Sequence, residues 1–158
     1  MKKIAITGII GSGKSTAAGL FKKLDIPVFV ADESAKELME NDSQVVDQIS
    51  YYFGDISYLN GKLNKNYISD RIYNNSSDLK FVNSLVHPKV NDKFKGWCNV
   101  QKASYVIYES ALVFENGSEE IFDEIICIKT PINIIHQRIS LRENYSFEKI
   151  NKIIENQI

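Results

Sequence analysis

Cysteine is scarce in this chain, which has two cysteines among 158 residues and no C-x-x-C pair. Cys98 and Cys127 lie far apart, and Cys127 stands in an apolar run, so the pattern favours reduced thiols over a disulfide or metal site. No repeat or low-complexity tract interrupts the sequence. With 44% hydrophobic and 25% charged residues, the chain suits one globular domain with a buried core.

Excess charge and long apolar runs are missing as well. A net charge of −1 and a pI of about 6.1 give no general attraction to nucleic acid or anionic membranes. The apolar residues after Met1-Lys2-Lys3 are interrupted by Gly11-Ser12-Gly13-Lys14 before they reach the length of a secretion signal, and no segment has the length of a membrane span. We therefore expect a cytoplasmic protein that binds neither nucleic acid nor membranes.

A glycine-rich phosphate loop is present. Residues 8–15 read G-I-I-G-S-G-K-S and follow the apolar run Ile4-Ala5-Ile6, so the motif lies between a strand and a helix. Its glycines allow backbone N–H groups to surround a phosphate. Lys14 is expected to contact the β and γ oxygens of a nucleotide, and Ser15 to offer its hydroxyl to Mg²⁺. The alternative, a glycine turn with a serine cap, leaves the lysine and the spacing unexplained. The predicted nucleotide-binding residues are Gly11, Ser12, Gly13, Lys14, Ser15 and Thr16.

Alternating apolar and helical patterns predict a parallel α/β sheet. Four runs have strand character: 3–7, 28–31, 105–108 and 124–128. Between about Ser34 and Ala103 the patterns are helical only, with predicted helices at 35–40, 43–53, 65–73, 78–86 and 88–102. We expect a core formed by residues 1–33 and 104–158, into which the helical region 34–103 is inserted.

Carboxylates follow two of the predicted strands, at the sheet edge where parallel α/β proteins bind ligands. Asp32 is interpreted as a general base that accepts the proton of an attacking hydroxyl. Capping of a helix that begins near Ser34 explains this residue equally well. Glu109 is a candidate for a magnesium contact through water, or else a solvated loop carboxylate.

Two arginines lie in the helical pattern after the fourth strand. Arg138 and Arg142 are four residues apart and therefore share one helix face. Such a pair could contact the phosphoryl group during its transfer. A solvated basic stripe is the alternative, and the pattern alone favours it.

Several segments together resemble the dephospho-CoA kinase family, in the same order and at matching separations along nearly the whole chain. No single short motif is decisive, but the set is specific. The segments are 7–16, 28–32, 85–88, 112–115 and 138–142, with Arg71-Ile72-Tyr73 inside the helical region.

This resemblance implies that MgATP donates its γ-phosphate to the 3′-hydroxyl of dephospho-CoA, the last step of coenzyme A synthesis. ATP and Mg²⁺ are then the expected cofactors, and a small molecule is the expected partner of a monomer or small homo-oligomer. The implied fold is a P-loop NTPase-type parallel sheet of order 2-3-1-4 with its fifth strand missing. The resemblance also implies that region 34–103 binds the substrate and that a helical lid lies at about 131–158.

The resemblance further assigns residues to roles. Asp32 falls on the family's catalytic aspartate, and Arg138 falls on an arginine of the lid that acts with Lys14 on the phosphates. From the residues alone, His87 is more simply a structural or capping histidine, because Pro88 already explains a break in the helix. The substrate-binding residues implied are Thr7, Asp32, Arg71, His87 and Glu115.

The chain departs from the family pattern at several positions. Ile9 stands where the family commonly has glycine, Val30 where it commonly has aspartate, and Ala111 where it usually has proline. The sequence stops just after Gln157, whereas relatives continue for roughly 40 residues. From this difference we expect an exposed sheet edge and weakened nucleotide affinity.

Two alternative functions are kept. The chain could be another P-loop kinase that phosphorylates a nucleotide or small metabolite, or a non-catalytic ATP-binding protein. A GTPase-like switch is disfavoured, because no D-x-x-G follows the loop and Asn64-Lys65-Asn66-Tyr67 lacks the aspartate of an N-K-x-D guanine reader.

Overall fold

The computed structural model describes residues 1–143, 146–155 and 157, without the side chains of residues 142 and 143. Contacts within the chain divide it into two compact units, 1–31 with 100–158 and 32–99. We call the first the sheet unit and the second the insertion. None of the described helices combines the length and the apolar character that crossing a membrane requires.

Strands and helices alternate in the sheet unit, whereas the insertion is mostly helical. The strands are β1 (Lys2–Thr7), β2 (Val28–Val30), β3 (Tyr58–Leu59), β4 (Lys62–Leu63), β5 (Tyr105–Glu109) and β6 (Glu124–Cys127). The helices are α1 (Lys14–Lys23), α2 (Ala31–Asn41), α3 (Ser43–Phe53), α4 (Lys65–Asn74), α5 (Ser76–Asn99), α6 (Ile132–Glu143) and α7 (Phe147–Glu155).

The sheet unit contains a four-stranded parallel sheet of order β2-β5-β1-β6. The predicted order, 2-3-1-4, differs only in numbering, because the hairpin β3–β4 adds two strands between the second and third predicted segments. The two central strands are buried on both faces, as expected for a parallel sheet covered by helices. Four of their side chains are 0% exposed: Ala5, Ile6, Val106 and Ile107.

Strand β6 lies at one edge of this sheet. Its first, third and fourth residues are exposed, among them Ile126 and Cys127. Among the described residues, this sheet consists of the four strands that the sequence predicted.

The insertion contains a hairpin where only helices were predicted. Strands β3 and β4 pair antiparallel, and the two residues between them, Asn60 and Gly61, have φ of 52° and 73°. Two consecutive positive φ values are typical of a type I′ turn, for which Asn-Gly is the favoured pair. The prediction of an all-helical region was wrong at this point, although the turn residues signalled it.

Helix α5 runs without interruption through Pro88, so the predicted break between residues 86 and 88 was wrong. Proline lacks the N–H that would bond to the carbonyl of Ser84, and its ring normally kinks a helix. Burial at a four-residue spacing continues on both sides of the proline and keeps the helix packed. The buried stripe consists of Val82, Val86, Val90, Phe94 and Cys98.

Helix α2 begins directly after β2, with no connecting loop. The sequence predicted a strand through Ala31 and a helix from about Ser34, whereas the helix already begins at Ala31. Asp32 therefore lies within the first helical turn, and the interpretation of this residue as an N-cap was wrong. A carboxylate in this position is still favourable, because the N-terminal end of a helix carries partial positive charge.

Candidate active site

The phosphate loop has the shape of an anion cradle. Gly8, Gly11 and Gly13 all have positive φ, at 143°, 76° and 104°. A Cβ atom on Gly8 would lie 2.4 Å from the carbonyl oxygen of Ile128, so no side chain fits there without moving the backbone. The loop conformation is thus one that glycine alone adopts without strain at these positions.

The N-terminal end of α1 supplies no capping side chain and no acidic residue of its own. Its N-cap, Gly13, makes no side-chain capping bond, and its first turn contains no acidic residue. The hydroxyl oxygen of Ser12 is buried and has no hydrogen-bond partner among the described residues. Unsatisfied N–H groups at a helix N-terminus, next to an orphaned buried hydroxyl, form a site whose chemistry fits a phosphate.

Lys14 lies inside the loop, with its side chain 8% exposed. Its ammonium Nζ donates to the carbonyl oxygen of Ile9 at 3.3 Å. The lysine therefore stays folded back over the loop instead of extending into solvent. This places a positive charge at the cradle, as the sequence predicted for a phosphate-binding lysine.

Ser15 and Glu109 form a hydrogen-bonded pair at the carboxyl end of strand β5. The hydroxyl of Ser15 donates to Oε1 of Glu109 at 2.6 Å, and Glu109 is only 6% exposed as the last residue of β5. The alternative of a solvated loop carboxylate was therefore wrong. A hydroxyl beside a carboxylate is an oxygen set that suits Mg²⁺. The described residues hold no group of three or more His, Cys, Asp or Glu side chains fit for a metal.

Arg138 contacts the outer backbone of the phosphate loop. Its guanidinium NH1 donates to the carbonyl oxygens of Gly11 and Ser12 at 3.1 Å and 3.4 Å. The hydroxyl of Thr130 donates to the same Ser12 carbonyl at 2.7 Å. Arg138 is exposed, and these bonds hold its guanidinium against the loop, whereas the side chain of Arg142 lies outside the described residues.

Arg71 is bonded to a buried carboxylate within the insertion. Its Nε donates to Oδ2 of Asp78 at 2.7 Å, and Asp78 is 2% exposed. The hydroxyl of Tyr52 donates to the other Asp78 oxygen at 3.2 Å. The guanidinium also lies 5.5 Å from the ring centroid of Phe53. The hydrogen bond to Asp78 raises the pKa of Arg71, so its charge is firmly retained.

The remaining predicted residues occupy varied environments. Asp32 is exposed in the first turn of α2, one residue after Ala31. His87 lies on α5, where burial lowers its pKa and favours the neutral imidazole. Glu115 is half-buried in the segment that follows β5. Thr7 is buried at the end of β1, and Thr16 is exposed on α1.

Sequence reasoning missed two of the residues that hold the predicted site residues in place. Asp78 was seen only as the start of a helix, and no local pattern reveals that it pairs with Arg71 across the turn between α4 and α5. Gln157 was noted for its position only, yet its side-chain oxygen accepts the N–H of Ile10 in the phosphate loop at 2.8 Å. Both contacts join residues that tertiary packing brings together, so spacing gives no signal for them.

The chain is similar to known proteins in family, in sequence and in structure. The family model of dephospho-CoA kinase (CoaE) matches residues 2–158. A dephospho-CoA kinase of Mannheimia succiniciproducens is 33% identical over 156 residues, which cover 98% of this chain and 73% of the relative. One of Coxiella burnetii is 34% identical over 159 residues and is covered to 80% of its length.

Solved structures share the fold. A Thermus thermophilus protein, TT1252, superposes with a TM-score of 0.84 at 26% identity, covering 99% of this chain and 80% of that one. Dephospho-CoA kinase from Campylobacter jejuni gives a TM-score of 0.67 at 23% identity, with the same two coverages. At 23% identity the second likeness concerns the fold alone.

Proposed function

We propose roles for individual residues on the premise that the chain belongs to the dephospho-CoA kinase family. The family catalyses the last step of coenzyme A biosynthesis, in which ATP donates its γ-phosphate to the 3′-hydroxyl of dephospho-CoA. The chain has the same activity. The roles of individual side chains are proposed from one main observation. The glycine cradle holds Lys14 beside the Ser15–Glu109 pair.

The cradle is proposed to bind the ATP phosphates. Backbone N–H groups in the first turn of α1 would donate to a phosphate, and Lys14 would add a positive charge for the β and γ oxygens. Mg²⁺ would be held by Ser15 directly and by Glu109 through water, and it would neutralise charge on the phosphates. The hydrogen bond between these two side chains supports the assignment, since both oxygens already lie at one point.

Asp32 is proposed as the general base that accepts the proton of the 3′-hydroxyl. It comes two residues after β2, and β2, β5 and β1 are parallel, so their carboxyl ends lie at one sheet edge. Asp32 is exposed, and a carboxylate oxygen within reach of a hydroxyl can accept its proton. The position of Asp32 after β2 and the exposure of its carboxylate both support its role as the general base.

Arg138 is proposed to stabilise negative charge on the phosphoryl group during transfer. Its bonds to the carbonyls of Gly11 and Ser12 support this, because they keep the guanidinium beside the cradle. Region 131–158 would act as a lid that excludes water. The insertion is proposed to hold the acceptor, and the residues assigned to acceptor binding are Thr7, Asp32, Arg71, His87 and Glu115. The protein is proposed to act in the cytoplasm, as a monomer or small homo-oligomer.

Product mass identifies the reaction most directly. Incubation with MgATP and dephospho-CoA is expected to add one phosphoryl group to the acceptor, while a panel of nucleosides and sugars stays unmodified. Phosphorylation of a panel member in preference to dephospho-CoA would contradict the substrate assignment. ATP binding without any transfer would favour the non-catalytic alternative.

Replacement of the proposed base tests the mechanism. Asp32→Asn is expected to lower kcat by about 10²- to 10⁴-fold, because the amide cannot accept the proton, while the Kd for ATP changes little. Glu33→Gln is the matched control, since Glu33 is the neighbouring carboxylate in the same helical turn. Equal kcat losses in the two variants would remove Asp32 from the role.

A further inference from the structure

One peptide unit of the phosphate loop is hydrogen-bonded at both ends. Its N–H, which belongs to Ile10, donates to Oε1 of Gln157 at 2.8 Å. Its carbonyl, which belongs to Ile9, accepts from Nζ of Lys14 at 3.3 Å and from the Ser12 N–H at 3.1 Å. Because a peptide is planar, its N–H and C=O turn together as one body. The direction in which Gln157 holds the N–H therefore sets the direction of the carbonyl that Lys14 contacts.

Gln157 follows the buried face of α7. Ile150, Ile153 and Ile154 precede it at a spacing of i, i+3, i+4 and i+7, which is one side of a helix. Ile150 and Ile153 are 0% and 4% exposed. The backbone N–H of Gln157 donates to the carbonyl of Ile154 at 3.0 Å, so the glutamine is tied to the last turn of α7.

Apolar packing holds the same part of the loop against α6 and α7. Ile135, Ile139 and Ile150 form a buried cluster, and Ile9 and Ile10 pack against it together with Ile154. At Gly11, a Cβ atom would come within 3.1 Å of the Ile139 side chain, so α6 lies close against the loop. Packing therefore brings the Ile9–Ile10 peptide near Gln157, and the hydrogen bond defines its rotation.

We propose that Gln157 is a positioning residue for Lys14 and acts through the Ile9–Ile10 peptide. The inference rests on the proposed function in one respect, that Lys14 contacts the β-phosphate of the nucleotide. A lysine already held at the loop loses less side-chain freedom when phosphate binds, so affinity for the β-phosphate rises. Gln157 is not proposed to touch the nucleotide.

Binding of ADP and AMP measures this effect without any chemistry. The two ligands differ by the β-phosphate, so the ratio of their Kd values reports contacts to that group. In Gln157→Leu, which keeps side-chain bulk but removes the acceptor, calorimetry is expected to show ADP binding weakened about 5-fold and AMP binding changed less than about 2-fold. Glu155→Gln, an exposed change on the same helix, is the matched control and should alter neither.

A double-mutant cycle separates positioning from general stability. If Gln157 acts through Lys14, adding Gln157→Leu to Lys14→Ala should weaken ADP binding no further. A full additional loss would overturn the proposal, as would an unchanged ADP-to-AMP preference in the single variant accompanied by a lower Tm. Should leucine prevent folding, Gln157→Met carries the same expectation. Failure to phosphorylate dephospho-CoA would contradict the proposed function but would leave this ADP and AMP comparison valid.

Discussion

The two units of the chain use charged side chains differently. In the insertion, ion pairs join separate helices: Lys65 to Glu40, Lys93 to Glu37, and Arg71 to Asp78, at 2.7 to 2.8 Å. In the sheet unit, Lys14 and Arg138 donate instead to backbone carbonyls of the phosphate loop. The ion pairs of the insertion thus join one helix to another, whereas these two cations of the sheet unit are held at the loop that is proposed to bind the ATP phosphates. The two kinds of charge should respond differently to substitution.

The largest expected effect concerns Lys14. Lys14→Ala should lower kcat/KM by about 10³-fold, because the ammonium stabilises both the bound phosphates and the charge that develops during transfer. The urea midpoint of unfolding should change little, since the lysine bonds to its own loop. Lys23→Ala, at the exposed C-terminal end of α1, is the control. Steady-state kinetics would measure kcat/KM, and urea unfolding would measure stability. A loss of stability without a loss of kcat/KM would contradict the proposed difference between the two units.

Replacement of Asp78 is expected to have a smaller effect, which lowers stability and leaves nucleotide binding nearly unchanged. Asp78→Ala should lower the free energy of unfolding by about 3 kcal/mol, because it removes a buried carboxylate that binds both Arg71 and Tyr52. ADP affinity should stay within about 2-fold of the original, which calorimetry can check. Asp92→Ala tests an exposed ion pair on the same helix and should cost less than about 1 kcal/mol. Equal costs for the two variants would show that burial is not the cause.

The smallest effect is a pH dependence from His87. Burial lowers its pKa below the ordinary 6.5, so the unfolded state binds more protons once the pH falls through that value. Stability contributed by the neutral imidazole is present above pH 6.5 and is lost towards lower pH. His87→Gln should flatten this slope by less than about 1 kcal/mol between pH 7 and 5, measured by urea unfolding at each pH. If the free energy of unfolding depended on pH in the same way in the original protein and in His87→Gln, the conclusion that burial lowers the pKa of His87 would be contradicted.

The difference between the units also explains what the sequence could predict. The phosphate loop depends on local chemistry, since glycine at three positions, a lysine and a serine define the cradle wherever a strand precedes it. The four sheet strands were predicted from apolar runs separated by helical patterns, whereas their order was predicted from the family resemblance. Glu109 was correctly predicted to follow the third strand segment, but its burial and its hydrogen bond to Ser15 arise from tertiary packing, which spacing does not reveal.

The insertion was harder to predict, because its structure depends on competition between local and tertiary preferences. Strands of two residues on each side of Asn60-Gly61 are too short to show alternation, so the turn signal stood alone. At Pro88 the packing of the buried stripe of α5 outweighs the local preference of proline for a helix break. The bond between Arg71 and Asp78 crosses from one helix to the next, and no spacing rule covers that geometry.

The chain passes from one unit to the other only at residues 31–32 and 99–100. For protein engineering, residues 32–99 are a segment that is connected to the rest of the chain at two points. One point lies in the first turn of α2, and the other lies just after α5. A chimera that exchanges this segment between relatives would carry Asp32 with it and would leave the sequence of the phosphate loop, residues 8–16, unchanged. The joint at Ala31 needs the greater care, because a graft there must carry a helix across the boundary without a flexible linker.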